Sequence, residues 1–295
     1  MSYIKAGTDP FGNDIKLFYQ DLGTGNASST VVLIHGWPLS HEMWDYQLAE
    51  LPAHGLRVVA YDRRGFGKSS QPWGGYDYDT LADDLKAVLD ELDLQNVTLV
   101  GFSMGGGEVG RYMSRHGGAR VSKVAFISAV TPYLLKTEDN PDGVDKDVFD
   151  EITENIQKDR AAFLQTFGKQ FYGVNLISHP VSQAHLDGDF ARAYVASHKA
   201  TLECAKSFAE TDFRDDLAQI HVPTLIIHGD ADKTVPIEAS GERTANALPN
   251  AQYIVYEGAP HGLFVTEKDR LTQDLLSFIQ EGVTVRESVG TTTLY

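Results

Sequence analysis

Cysteine is nearly absent: Cys204 is the only one in 295 residues. An internal disulfide and any cysteine-built metal cluster are thereby excluded. Its setting, Thr201 to Ala205, reads as a helix interior, where a thiol packs rather than attacks. Positive charge is scarce as well. The 25 lysines and arginines face 41 aspartates and glutamates, a formal net charge of −16. Nucleic acids and anionic membrane surfaces both select a basic face, so neither is an expected partner. No apolar run approaches the roughly 18 residues of a membrane-spanning helix. The first ten residues lack the apolar segment of a secretory signal, which makes a cytoplasmic location the expectation. No histidine pair has metal-ligand spacing in a fitting context, and no phosphate loop or dinucleotide fingerprint stands in a credible one. No metal or organic cofactor is therefore expected. A homo-oligomer is compatible with this composition.

What is present is a chain with 42% hydrophobic residues, enough for one large α/β domain plus an insertion. A hairpin is expected from Tyr3 to Lys5 and Ile15 to Tyr19, separated by Pro10, Gly12 and Asn13. Val31 to Ile34 is a continuous apolar run, as in a strand buried on both faces of a parallel sheet. A helix from about Met43 to His54 follows, then a strand from Leu56 to Tyr61. Leu81, Leu85, Val88, Leu89 and Leu92 form a helical stripe. Further strands are expected at Val97 to Val100 and Val121 to Ile127. This alternation implies a parallel sheet covered on both sides. Between Thr131 and Asp212 the strand pattern stops, and Phe163, Phe167 and Phe171 are spaced for one helix face. A helical insertion is expected there. Strands resume at Thr224 to His228 and Gln252 to Tyr256, with helices near 237–247 and 267–280. Residues 282–295 carry no strong pattern and read as a tail.

Gly101-Phe-Ser-Met-Gly105 sits between the strand ending near Val100 and a helix expected from Met104 to His116. This is G-x-S-x-G in the strand–turn–helix context that gives the pattern meaning. The tight turn strains the backbone of Ser103 and presents its hydroxyl at the end of the sheet. The Met104 N–H, at the helix start, is free to face a developing oxyanion. A serine hydroxyl needs a base, and the base an acid to orient it. His261 follows the last strand in a loop punctuated by Gly258, Pro260 and Gly262, where open α/β sheets place their chemistry. His228 is flanked by apolar residues and reads as a strand-terminal packing residue. His179, His185 and His198 fall in the insertion and read as surface residues. Asp230 and Asp232, just past a strand end, are both candidates for the acid. Serine, acid and histidine then follow in that order along the chain.

These motifs resemble those of the α/β-hydrolases over nearly the whole chain. More narrowly they resemble the cofactor-free (non-haem) haloperoxidases, which overlap with bacterial arylesterases and perhydrolases. The resemblance rests on His35 to Pro38, Tyr61 to Ser69, Gly101 to Gly105, Gly229 to Asp232 and Glu257 to Gly262. It implies a mostly parallel sheet flanked by helices; the strand pattern places the core at residues 1–130 and 213–281 and a helical cap insertion at 131–212, where the chain departs from the family. The resemblance selects Asp232 over Asp230 and assigns the oxyanion hole to the N–H groups of Trp37 and Met104. His35 and the loop from Asp62 to Ser69 become structural supports. Proline restricts the residue before it, so Pro38 would fix where the Trp37 carbonyl points; in the family, a proline here accompanies perhydrolase activity. The activity implied is hydrolysis of short carboxylic aryl esters or lactones, with a cofactor-free perhydrolase or haloperoxidase side reaction on a carboxylic acid and hydrogen peroxide. Haloalkane dehalogenases and epoxide hydrolases use an aspartate nucleophile, which Ser103 excludes. Carbon–carbon bond hydrolases and proline iminopeptidases keep a serine and stay open as alternatives, as does a hydrolase-fold ligand-binding protein. The acidic stretch from Thr137 to Asp159 matches no motif of the family.

Overall fold

The structure, a computed structural model, describes residues 2–23 and 27–281; the expected tail at 282–295 lies outside them. Its centre is one eight-stranded sheet: β1 (Tyr3–Thr8), β2 (Asp14–Leu22), β3 (Ser29–Ile34), β4 (Leu56–Tyr61), β5 (Val97–Phe102), β6 (Val121–Ile127), β7 (Thr224–Gly229) and β8 (Gln252–Tyr256). Their spatial order is β1-β2-β4-β3-β5-β6-β7-β8. The first two joints, β1 with β2 and β2 with β4, are antiparallel; from β4 onward neighbours are parallel.

The apolar run in β3 is explained by its position. Val31 and Leu33 face one core layer with Trp44, Leu48, Leu271 and Leu275. Val32 and Ile34 face the opposite layer with Leu85, Leu89, Val109 and Tyr112. A strand covered on both faces has no reason to alternate polar and apolar residues. The layers are built by α1 (Asp45–Glu50) and helices α2 (Tyr78–Glu91) and α3 (Met104–Arg115), and, at the end of the chain, α8 (Gly241–Ala247), α9 (Leu263–Thr266) and α10 (Lys268–Glu281). The helix expected over Met43 to His54 is broken into α1 between two 3-10 turns, His41–Trp44 and Leu51–His54; Pro52 cannot donate into a continuous helix. The expected helix at 237–247 is likewise split, with a 3-10 turn at Ile237–Ala239 before α8.

Between β6 and β7 lies the helical insertion: α4 (Lys146–Phe171), α5 (Gln183–Val195) and α6 (His198–Glu210), followed by the short α7 (Arg214–Leu217). Helix α4 breaks at Asp159, whose φ of −159° and ψ of 90° are not helical. The Asp159 carboxylate accepts the Ala162 N–H at 3.0 Å and so caps the second half as a new helix. That half carries Phe163, Phe167 and Phe171 inward over the sheet.

Behind the carboxyl ends of β3 and β4, a buried charge network joins three elements. Glu108 of α3 accepts the Tyr61 hydroxyl at 2.8 Å and pairs with Arg63, all with almost no exposure. Arg63 donates from its side chain to the His35 carbonyl at 2.6 Å and from its backbone to His35 Nε2 at 2.9 Å. His35 is held well below the usual histidine range, first by burial and then by the Arg63 charge; it serves as acceptor for the Arg63 amide. Removing Glu108 would leave the Arg63 charge buried without its carboxylate. Glu108→Ala is therefore expected to destabilise the fold by about 3–5 kcal/mol, read from urea unfolding; a loss under about 1 kcal/mol would show the pair to be energetically idle.

Candidate active site

Ser103 sits between β5 and α3 with φ 52° and ψ −119°. A side chain in this region is strained, and the surrounding backbone holds it there. The Ser103 N–H donates to the Ile127 carbonyl at 2.9 Å, and its own carbonyl accepts the Gly106 N–H at 2.9 Å. The turn closes only because its flanking residues lack a Cβ. A Cβ on Gly101 would stand 2.5 Å from the Gly105 carbonyl oxygen, and one on Gly105 would stand 2.7 Å from that of Ile34.

His261, in the loop after β8, places Nε2 3.0 Å from Ser103 Oγ and Nδ1 2.6 Å from Asp232 Oδ2. Its ring is packed between Phe102 and Phe171, with centroids 4.9 and 4.8 Å away. The insertion grips the same loop, since the Gly262 N–H donates to the Phe171 carbonyl at 2.8 Å. Asp232 lies in the turn after β7. Its Oδ1 accepts the N–H groups of Thr234 and Val235, both at 2.8 Å. Burial alone would raise the Asp232 carboxyl. Attraction to the His261 ring and hydrogen bonds from His228 and His261 outweigh it and hold the group well below the usual carboxylate range. Asp230 is exposed and its carboxylate accepts the Gly258 N–H at 2.6 Å. Of the two acid candidates, the structure brings Asp232 onto the histidine.

Among the described residues, neither the Trp37 nor the Met104 N–H has a hydrogen-bond acceptor, and the Trp37 carbonyl accepts nothing. Met104 is the first residue of α3, directly after Ser103, and Trp37, in the loop after β3, lines the same cavity as Ser103. Such a pair of unfilled N–H groups beside a nucleophile is what a tetrahedral oxyanion requires. The Trp37 indole donates to the Thr201 carbonyl at 3.0 Å and packs against Phe163, Phe167 and Phe208.

These residues line a cavity of about 590 Å³. Ser103, His261 and Trp37 meet there with apolar walls from Phe163, Phe167 and Phe208, and with polar groups such as Lys158 and Lys233. Pro38 is elsewhere: it lines a separate small pocket with Leu164, Phe171 and Phe190. His179, His185 and His198 do not line the cavity; His185 faces Asp189 at 3.3 Å. No group of three metal-ligating side chains is found among the described residues, and no described helix is long and apolar enough to cross a membrane.

One residue acquires a different meaning from the one its sequence suggests. His228, expected to be a packing residue, is fully buried but polar in its contacts. Its Nε2 lies 2.9 Å from the Val235 carbonyl and 3.2 Å from Asp232 Oδ2. The signal was available in the spacing, since His228 precedes Asp232 by four residues across a turn. Without the turn geometry, that spacing has no direction. Phe171, read as one of a helical stripe, also turns out to pack on the His261 ring.

The alpha/beta hydrolase fold family matches residues 29–268 of this chain. A non-haem haloperoxidase of Rhodococcus erythropolis is 44% identical over 266 residues, covering 90% of this chain and 96% of its own. A bifunctional esterase/perhydrolase of Acinetobacter calcoaceticus is 41% identical over 267 residues, with coverage of 90% and 96%. The crystal structure of a bromoperoxidase from Bacillus anthracis superposes with a TM-score of 0.90 at 48% identity, covering 95% of this chain and 99% of that one.

Proposed function

This chain belongs to the α/β-hydrolase fold family, in its haloperoxidase and esterase/perhydrolase branch, and on that premise we propose that Ser103, His261 and Asp232 act as nucleophile, base and acid on short carboxylic aryl esters or lactones. The observation that carries the reading is the unbroken chain from Ser103 Oγ through His261 to Asp232, at 3.0 and 2.6 Å, opening into the cavity.

The steps follow from these positions. Ser103 Oγ attacks the carbonyl carbon while its proton passes to His261 Nε2. The carbonyl oxygen gains charge and takes the N–H groups of Trp37 and Met104. Asp232 stays ionised, holds Nδ1–H and stabilises the ring while it carries the extra proton. His261 then returns the proton to the departing alkoxide or phenoxide, leaving an acyl-serine. Water attacks that ester by the reverse sequence, again with His261 as base. The apolar walls supplied by the cap, residues 131–212, suit the hydrocarbon part of an aryl ester. The test is p-nitrophenyl acetate turnover with and without a serine-directed phosphonate. Stoichiometric loss of activity is expected; turnover indifferent to the inhibitor would overturn the assignment.

The same acyl-serine can be taken by hydrogen peroxide instead of water. A carboxylic acid first acylates Ser103 with release of water. Peroxide then displaces the serine to give a peracid, and released peracid oxidises halide away from the protein. The Trp37 carbonyl, without a hydrogen-bond donor, is a free acceptor for the second hydroxyl of peroxide. Pro38 constrains the peptide that carries it and is not among the residues that line the cavity. Pro38→Leu is therefore expected to lower the ratio of perhydrolysis to ester hydrolysis by about 2- to 10-fold, the worth of one neutral hydrogen bond. Peracid can be measured directly at acidic pH with acetate and peroxide. An unchanged ratio, or no peracid from the wild-type protein, would leave the esterase reading alone.

A further inference from the structure

His228 is the penultimate residue of β7, a strand paired on both sides with β6 and β8. Its ring is buried, and Gly241 packs so close that a Cβ there would stand 2.7 Å from Nδ1. Nδ1 has no hydrogen-bond partner among the described residues. Nε2 faces two atoms that only accept, the Val235 carbonyl and Asp232 Oδ2. The hydrogen must therefore reside on Nε2. The N–H donates to the Val235 carbonyl of the turn that bears Asp232, and the same ring edge lies 3.2 Å from Oδ2.

We infer that His228 is a positioning residue that acts through Asp232, using this single N–H to fix Oδ2 in register with His261. The inference rests on the proposed role of Asp232. Oδ1 is already pinned by the amides of Thr234 and Val235. Oδ2 meets the catalytic ring itself, His261 Nδ1 at 2.6 Å, so without His228 the only group on that side is the one that must be oriented. His228 adds a second contact to Oδ2, from a central strand rather than from the turn itself. His228 also ties the turn to β7 through the Val235 carbonyl, so the strand and the acid move together. An orienting group of this kind sets how often His261 is aligned to take the Ser103 proton. His228 does not line the cavity, so its loss should act on kcat and not on KM.

The test compares His228→Gln with His228→Met. Both side chains have similar length, and only glutamine keeps an N–H that reaches Asp232. His228→Met is expected to lower kcat for p-nitrophenyl acetate by about 10- to 100-fold, the worth of a hydrogen bond to a charged group, with KM nearly unchanged. His228→Gln is expected to recover most of the loss. In an Asp232→Ala background, either change should alter the residual rate by less than about twofold, because the group it acts on is gone. A methionine variant with wild-type kcat, a glutamine variant no better than methionine, or an equal loss in both backgrounds would each overturn the inference. Should His228→Met fail to fold, His228→Asn replaces it: an amide too short to reach Asp232. Asp232→Ala alone separates the two readings. If it keeps wild-type kcat, the role of Asp232 fails; if it is impaired while the His228 variants are not, only the role of His228 fails.

Discussion

Ser103→Ala is expected to lower kcat for aryl-ester hydrolysis by about 10⁴- to 10⁶-fold, with the fold intact. The hydroxyl is the one group in the proposed sequence that forms a bond to the substrate, and no neighbour can replace it. Cys204, the only thiol, is buried and its pKa is pushed up to about 12, chiefly by burial. The residual rate would come from the Trp37 and Met104 donors and from substrate held in the cavity. KM should change little, since the walls remain. Stability should stay within about 1 kcal/mol of wild type, because alanine meets the same strain at φ 52° as serine and loses one hydrogen bond, to His261. Circular dichroism and active-site titration distinguish an inactive folded protein from a misfolded one. A folded Ser103→Ala variant with near wild-type turnover would remove the serine mechanism altogether.

The elbow at Ser103 was legible in the sequence because its constraints are local. A turn that tight demands glycines at fixed offsets, and the strand before it and helix after it are each encoded by adjacent residues. The sheet's parallel character was legible for a similar reason: buried strands such as Val31 to Ile34 cannot hide their apolar runs. What the sequence does not encode locally was not legible. Nothing in β3 or β4 announces that β4 lies outside β3 in the sheet. The acidic stretch up to Asp159 gave no motif, yet Asp159 ends one helix segment and caps the next. Pro38 follows Trp37 in the chain, but it lines a different pocket. His228 shows the limit most clearly. Apolar flanks at Ile226 and Ile227 describe the strand, whereas its partner Asp232 is reached only when the chain turns back.

Asp232→Asn is expected to lower kcat by about 10⁴-fold, while Asp230→Asn stays within about twofold of wild type. The difference lies in what each carboxylate accepts. Asp232 accepts three hydrogen bonds, the amides of Thr234 and Val235 on one oxygen and His261 on the other, where His228 Nε2 also lies 3.2 Å away. An asparagine has a single oxygen, and its NH₂ would confront two further N–H groups. The conflict is relieved most easily if His261 moves its hydrogen to Nε2, which then cannot receive the Ser103 proton. Asp230 accepts only the Gly258 N–H, and the oxygen of an asparagine does that equally well. Asp232→Asn should also differ from wild type in acid stability. The folded-state carboxyl of Asp232 lies below its ordinary value. Its ionised form therefore contributes stability that is fully present above the unfolded-state pKa and lost as pH falls through the folded one. The Tm gap between wild type and Asp232→Asn should be widest near neutral pH and close below the usual carboxylate range. If Asp230→Asn proved the more damaging substitution, the acid would be misassigned, and with it the orientation of His261.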